Sequence, residues 1–119
     1  MRDPSIRTFD DFWPFYVSQH RRHGTRVMHF VGTSLGLLLL VRAASTGNAV
    51  LVLSGLACAY GFAWAGHYFI EKNRPATFTY PVWSFFGDLR MFWLMCQGRM
   101  TAEVERLGFG VSAPAELVN

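Results

Sequence analysis

Charged side chains are scarce in this sequence. Asp, Glu, Lys and Arg make up 16% of its 119 residues, whereas an ordinary soluble domain carries roughly 25%. Hydrophobic residues reach 51% and aromatic residues 16%. A chain of this length has a large surface for its volume, so it can hide only a small core. The composition therefore disfavours an ordinary soluble domain and indicates that much of the apolar surface faces a lipid bilayer.

Thiols and clustered basic residues are also too few to define a function. Cys58 and Cys96 lie far apart in apolar segments without a CxxC motif, which disfavours a thiolate zinc site or a redox pair. The net charge of +3 comes without the broad basic face that a nucleic-acid-binding protein needs. No cleavable leader is expected, because residues 1–26 are polar and aromatic rather than continuously apolar.

The apolar runs predict an all-α protein, a small helical membrane protein that forms one embedded domain over residues 1–119. Asp10 and Asp11 mark the start of an amphipathic N-terminal helix, and Pro14 is expected in its first turn. The predicted segments are this helix within 3–24, span one at 27–42, a turn at 43–48, span two at 49–70, a loop at 71–81, a third spanning or interfacial helix at 82–98, and a tail at 101–119.

All the histidines are predicted to lie in one layer. The short turn makes the two spans an antiparallel hairpin, so the start of span one and the end of span two share a side. His29 lies just inside span one and His67 near the end of span two, while His20 and His23 precede span one. Ionisable groups inside apolar segments are costly and indicate function. The layer is therefore a candidate metal site.

The basic residues predict which way this hairpin faces. Most of them flank the histidine layer, and only Arg42 lies beside the turn at the other end. Positive charge favours the cytoplasmic side of a membrane. We therefore expect an integral protein of a bacterial inner membrane, with the N-terminus and the histidine layer in the cytoplasm.

Helical spacing groups some of these residues further. Tyr16 and His20 are expected on one helix face, His20 and His23 can point the same way, and His67 and Glu71 can hold one ion. Imidazole suits zinc, iron, copper and nickel, and two histidines with a carboxylate are typical of Fe(II) oxygenases. Taken singly, each histidine also fits an interface residue. Glu71 can equally pair with a neighbouring cation, so both interpretations stay open.

An ordered set of motifs resembles a known family. The motifs cover residues 9–100 and consist of YVSQH ending at His20, Arg26, HFVGT from His29, Gly66-His67, EKNRPA from Glu71, and Pro81, Ser84, Gly87, Asp88, Met91 and Gly98-Arg99. They are similar to the 2-hydroxy fatty acid dioxygenases, typified by the endoplasmic-reticulum enzyme of yeast, and most similar to its bacterial members.

The resemblance implies an Fe(II) enzyme of fatty acid α-oxidation, which uses O₂ to shorten a 2-hydroxy fatty acid by one carbon. It implies metal ligands at His20, His29 and His67, with Glu71 as a further candidate. His23 matches no family histidine, so its role stays open. The remaining predicted roles are a carboxylate contact from Arg26 or Arg74, ligand orientation by Tyr16 or Asp88, and an acyl chain between the spans near Leu37–Leu40.

Other functions remain compatible with the sequence. They are a zinc-dependent lipid hydrolase, a non-catalytic membrane assembly or scaffold protein, and a haem-binding electron carrier. Glycines in both spans also permit close helix contacts, either within one chain or in a homo-oligomer.

Overall fold

The computed structural model describes residues 2–110, and this part of the chain is all-helical, which confirms the predicted fold class. In chain order the elements are α1 (Phe9–Ser18), α2 (His23–Thr46), α3 (Ala49–Ala65), a π-helical segment (Gly66–Glu71), a 3₁₀ turn (Ala76–Phe78), α4 (Pro81–Cys96) and α5 (Met100–Arg106). The predicted tail at 101–119 begins within α5, and residues 111–119 of it lie outside the described residues.

Helices α2 and α3 form the hairpin at the centre of the fold. His23–Thr46 and Ala49–Glu71, the latter including the π-helical segment, are both long and apolar enough to cross a membrane. Gly47 ends α2 in the left-handed conformation with φ 68°, and the Asn48 side chain accepts a hydrogen bond from the Val50 N–H at 3.0 Å. The turn is tighter than the predicted 43–48, because α2 continues through Thr46.

The two hairpin helices approach each other closely at glycines. A Cβ on Gly36 would lie 3.0 Å from the carbonyl oxygen of Gly55, and a Cβ on Gly55 would lie 3.0 Å from that of Gly36. A Cβ on Gly32 would lie 2.8 Å from the Cβ of Phe62. Small residues let helix backbones pack at this distance. These contacts hold α2 against α3 along most of their length.

Helix α1 is shorter than the segment predicted for it. It begins after Thr8, whose side chain accepts from the Asp11 N–H while the Asp11 carboxylate accepts from the Thr8 N–H, a capping box. Pro14 lies inside α1, not in its first turn. That prediction was wrong because Phe9, not a later residue, opens the helix.

An aromatic cap covers one end of the hairpin. We use this name for the buried cluster formed by Phe12, Trp13, Tyr16, Val17, Ala76, Tyr80, Met91, Met100 and Val104. The Trp13 indole N–H donates to the Glu103 carboxylate at 2.7 Å, which ties α5 to α1. Helix α4 packs against α1 and has 16 residues, fewer than the roughly 20 that usually span a bilayer.

Candidate metal centre

Three buried histidines converge where the hairpin meets the aromatic cap. His20 lies in the turn between α1 and α2, His29 on the second turn of α2, and His67 in the π-helical segment. They are 1%, 4% and 2% exposed. One ring nitrogen of each lies within 4.8 Å of the others, and no other group of metal-ligating side chains of this kind occurs in residues 2–110. Chain positions far apart therefore supply one compact cluster.

Each imidazole already has a partner at Nδ1. His20 Nδ1 lies 2.6 Å from the Tyr16 carbonyl, and His29 Nδ1 lies 3.0 Å from the Thr25 carbonyl. His67 Nδ1 lies 2.7 Å from Oδ1 of Asn73. Since these oxygens accept, Nδ1 carries the proton and the lone pair of each ring is at Nε2. Fixing the tautomer in this way is typical of histidines that bind metals.

The arrangement of the Nε2 atoms fits a metal ion. Nε2 of His20 lies 3.1 Å from Nε2 of His29, although neither carries a proton in the tautomer just described. Two nitrogens bound at right angles to one ion about 2.1 Å away would be about 3.0 Å apart. Burial, followed by the neighbouring His29 and His67, lowers the pKa of His20 well below its usual range. A shared cation is therefore the natural partner for these lone pairs.

A carboxylate stands beside the three imidazoles. An oxygen of Asp88 on α4 lies 3.9 Å from Nε2 of His29 and accepts a hydrogen bond from the Tyr16 hydroxyl. Burial and the Asp88 charge raise the pKa of Tyr16 well above its usual range, so the phenol stays a donor. Gly87 lets α4 approach, because a Cβ there would lie 2.8 Å from the Tyr16 ring. The donor set is three imidazoles with one adjacent carboxylate.

A small cavity and an apolar groove meet at this cluster. The cavity holds about 20 Å³ and is lined by the three histidines, Tyr16, Tyr60, Ala63, Trp64, Pro75, Ala76, Thr77, Ser84 and Asp88. The groove holds about 120 Å³ and runs between α2, α3 and α4 toward Leu40. His29, Tyr60, Ala63 and Asp88 line both. The cavity leaves no room for a porphyrin, which disfavours a haem carrier. It suits an ion together with the polar end of a ligand that extends along the groove.

Two candidates for metal ligation, Glu71 and the uncertain His23, are not part of the cluster. The Glu71 carboxylate accepts a hydrogen bond from the backbone N–H of Arg22 at 3.0 Å. His23 is exposed at the first position of α2. The cluster of three histidines includes neither residue. The structure thus brings together His20, His29 and His67 and adds Asp88 as the nearest carboxylate.

The two arginines proposed to hold a carboxylate are engaged elsewhere. Arg26 is buried, and its guanidinium donates to the carbonyls of His20 at 2.8 Å and Arg21 at 2.6 Å. The Arg74 guanidinium lies 5.3 Å from the centre of the Phe78 ring. Neither lines the cavity or the groove. Arg26 instead fixes the turn that presents His20.

Three residues of the site were not assigned a role from the sequence. Asn73 orients His67, and its amide N–H₂ donates to the backbone and side-chain oxygens of Gln19 at 3.1 Å each. Tyr60 lies two helical turns before His67, and Ser84 lies one turn before Asp88. The sequence could have indicated Tyr60 and Ser84, because each lies one or two helical turns before a predicted site residue and so on the same helix face. Asn73 had no such signal, because it lies beyond the helix end.

Comparison with known proteins identifies the family of this chain. A family model described as "2-hydroxy-palmitic acid dioxygenase Mpo1-like" matches residues 6–100. No curated protein and no solved structure matches the chain significantly.

Proposed function

The chain belongs to the 2-hydroxy-palmitic acid dioxygenase Mpo1-like family, and we propose that it is an Fe(II)-dependent dioxygenase that shortens 2-hydroxy fatty acids by one carbon. The observation that carries the proposal is the convergence of three buried imidazoles beside an apolar groove. The imidazoles offer ligands for the metal, and the groove offers a place for an alkyl chain. A metal site without the groove would not favour a lipid substrate.

The proposed reaction balances without an external reductant. A 2-hydroxy acid, RCH(OH)COOH, and O₂ give RCOOH, CO₂ and H₂O when the bond between C1 and C2 breaks. The substrate loses four electrons and O₂ gains four. Once bound, iron would supply open coordination positions and one-electron chemistry toward O₂.

The side chains of the site have different proposed roles. His20, His29 and His67 would hold the iron through Nε2, with each ring fixed by its Nδ1 partner. The Asp88 carboxylate would accept the proton of the substrate's 2-hydroxyl group, since it stands beside His29 at the junction of cavity and groove. The Tyr16 hydroxyl keeps Asp88 in place by donating to it.

The groove is suited to a long alkyl chain. Its lining is almost entirely apolar and includes Leu37, Leu40, Leu56, Phe85 and Leu89. From His29 to Leu40 the helix rises about 16 Å at 1.5 Å per residue. An extended chain of more than ten carbons fits in that length, and most of the side chains that it would contact there are apolar. The alkyl chain would thus lie along α2 with its polar end at the histidines.

The apolar hairpin is proposed to lie in a bilayer. Helices α2 and α3 would span it, with the histidine cluster near the cytoplasmic face of a bacterial inner membrane, where most basic residues lie. Fatty acids partition into membranes, so a groove that opens between the spans would receive its substrate from the lipid.

The first experiment measures the metal content and turnover of the detergent-purified chain after anaerobic loading with Fe(II). We expect one iron per chain, and release of CO₂ from 2-hydroxypalmitate labelled at C1 when O₂ is admitted. His67→Ala should lose both, because it removes one of the three imidazoles that converge to hold the ion. His23→Ala is the matched control, since His23 is exposed and outside the cluster.

Three imidazoles also form catalytic zinc sites, so a zinc-dependent lipid hydrolase is the second candidate. The same measurement separates the two functions. Selective retention of zinc, ester hydrolysis and no consumption of O₂ would replace the dioxygenase proposal. Full turnover by His67→Ala would remove the metal cluster as its basis.

A further inference from the structure

Ser84 has a buried hydroxyl group without a protein partner. The residue is 3% exposed on α4, and its Oγ makes no hydrogen bond within residues 2–110. The hydroxyls of two other helical serines, Ser45 and Ser54, instead donate to carbonyls one turn earlier. A buried hydroxyl left unpaired costs about 1–3 kcal/mol. This cost indicates that Ser84 has a partner that is not part of the protein.

The position of Ser84 limits what that partner can be. Ser84 lines the cavity with the three histidines but does not line the groove, whereas Asp88, one helical turn later, lines both. Thr25, the other buried hydroxyl without a partner, lines neither. The lining therefore falls into three parts: residues of the groove alone, residues shared by groove and cavity, which include Asp88 and Tyr60, and residues of the cavity alone, which include Ser84 and Thr77.

We propose that Ser84 binds the carboxylate of the 2-hydroxy acid and so sets the direction in which the substrate enters. The inference rests on the function proposed above. With the alkyl chain in the groove and the 2-hydroxyl group at Asp88, the carboxylate falls at the Ser84 end of the cavity. The Ser84 hydroxyl donates to it, and a hydrogen bond to a charged group is stronger than a neutral one. No arginine lines this cavity. Tyr60 and Thr77 also bring hydroxyl groups to it but are partly exposed, so Ser84 supplies the fully buried hydroxyl without a partner.

A pair of ligands isolates the carboxylate contact. 2-Hydroxypalmitate and 1,2-hexadecanediol share the alkyl chain and the hydroxyl group at C2, but the diol has an alcohol in place of the carboxylate. Dissociation constants are measured calorimetrically on the full-length, Fe(II)-loaded chain in detergent without oxygen, so turnover does not enter. Iron content is measured for each variant as a test of folding.

Ser84→Ala should raise the dissociation constant of 2-hydroxypalmitate by about tenfold, which corresponds to the loss of one hydrogen bond to a charged group. The dissociation constant of the diol should change by less than about twofold in the same variant. Ser84→Cys keeps nearly the same volume but donates weakly, so it should give the same pattern even if the alanine variant folds poorly. Ser54→Ala is the matched control, because it removes a helical hydroxyl outside the cavity and groove.

Each result decides the inference. Equal weakening of both ligands would assign Ser84 to packing or to a bound water, and unchanged affinity would leave it without contact to the substrate; both overturn the proposal. A wild-type chain that binds iron but not 2-hydroxypalmitate would overturn the proposed function as well. If only the Ser84 proposal is wrong, the wild-type chain still binds iron and 2-hydroxypalmitate normally.

Discussion

The two ends of the molecule use the same kinds of residue in opposite ways. In the aromatic cap, Phe12 is fully buried. At the far end of the hairpin, Leu38 is 67% and Leu53 is 69% exposed. Burial of apolar surface stabilises the cap in water, whereas the hairpin presents many of its apolar side chains to the surroundings. This difference is what the proposed membrane location predicts, with the cap in water, the hairpin in lipid and the histidine cluster between them.

The largest expected effect comes from truncating one side chain in each region. Phe12→Ala should lower the free energy of unfolding by about 3–5 kcal/mol, because it leaves a cavity among the packed rings of the cap. Leu38→Ala should change it by less than about 0.5 kcal/mol in detergent. Chemical denaturation followed by circular dichroism checks both. A large loss in Leu38→Ala would mean that another protein surface covers this face.

A charge on the exposed hairpin face should impair membrane insertion. Leu53→Asp introduces a carboxylate on the exposed face of α3, about one turn after the helix begins. A charge at the centre of a span costs about 2.5–3.5 kcal/mol, and the cost is smaller nearer its end. The fraction that resists alkaline extraction from membranes should fall. Thr101→Asp is the control, since Thr101 is exposed on α5 within the other region. Equal extraction of Leu53→Asp and wild type would argue against a lipid-facing α3.

The smallest expected effect tests the close contact between α2 and α3. Gly32→Ala places a Cβ 2.8 Å from that of Phe62, and the resulting displacement should destabilise the chain by about 1–3 kcal/mol. Gly61→Ala meets nothing within 4 Å and should stabilise the helix by about 0.5–1 kcal/mol. Thermal unfolding in detergent gives both values. Changes of the same sign would contradict the packing described for the hairpin.

The sequence predicted the helical class from the lengths of the apolar segments, and the sidedness of a hairpin predicted that all the histidines lie in one layer. The selection of His20, His29 and His67 as ligands came from the family resemblance. Glu71 was placed beside His67 because residues four apart lie on one face of a helix. The Glu71 carboxylate accepts a hydrogen bond from the Arg22 backbone N–H and does not join the histidine cluster. That contact joins positions far apart in the chain, so the spacing could not predict it.

His23 illustrates a second limit of spacing arguments. It was grouped with His20 as if both lay on one helix. Helix α1 ends at Ser18 and His23 begins α2, so a change of chain direction separates the two side chains. The partners of Ser84 and Asn73 were equally inaccessible, since they depend on contacts between elements far apart in the chain. Such contacts are set by tertiary packing.

The origin of the three imidazoles on different elements has a consequence for the biogenesis of the protein. His20 and His29 leave the ribosome before the turn at Gly47, whereas His67 and Asn73 follow only after α3. The Asn73 bond to Gln19 joins residues that are 54 positions apart, so the complete ligand set exists only after the hairpin has closed. Under the proposed function, metal loading therefore follows closure of the hairpin, and a chain arrested between α2 and α3 would carry only two of the three imidazoles.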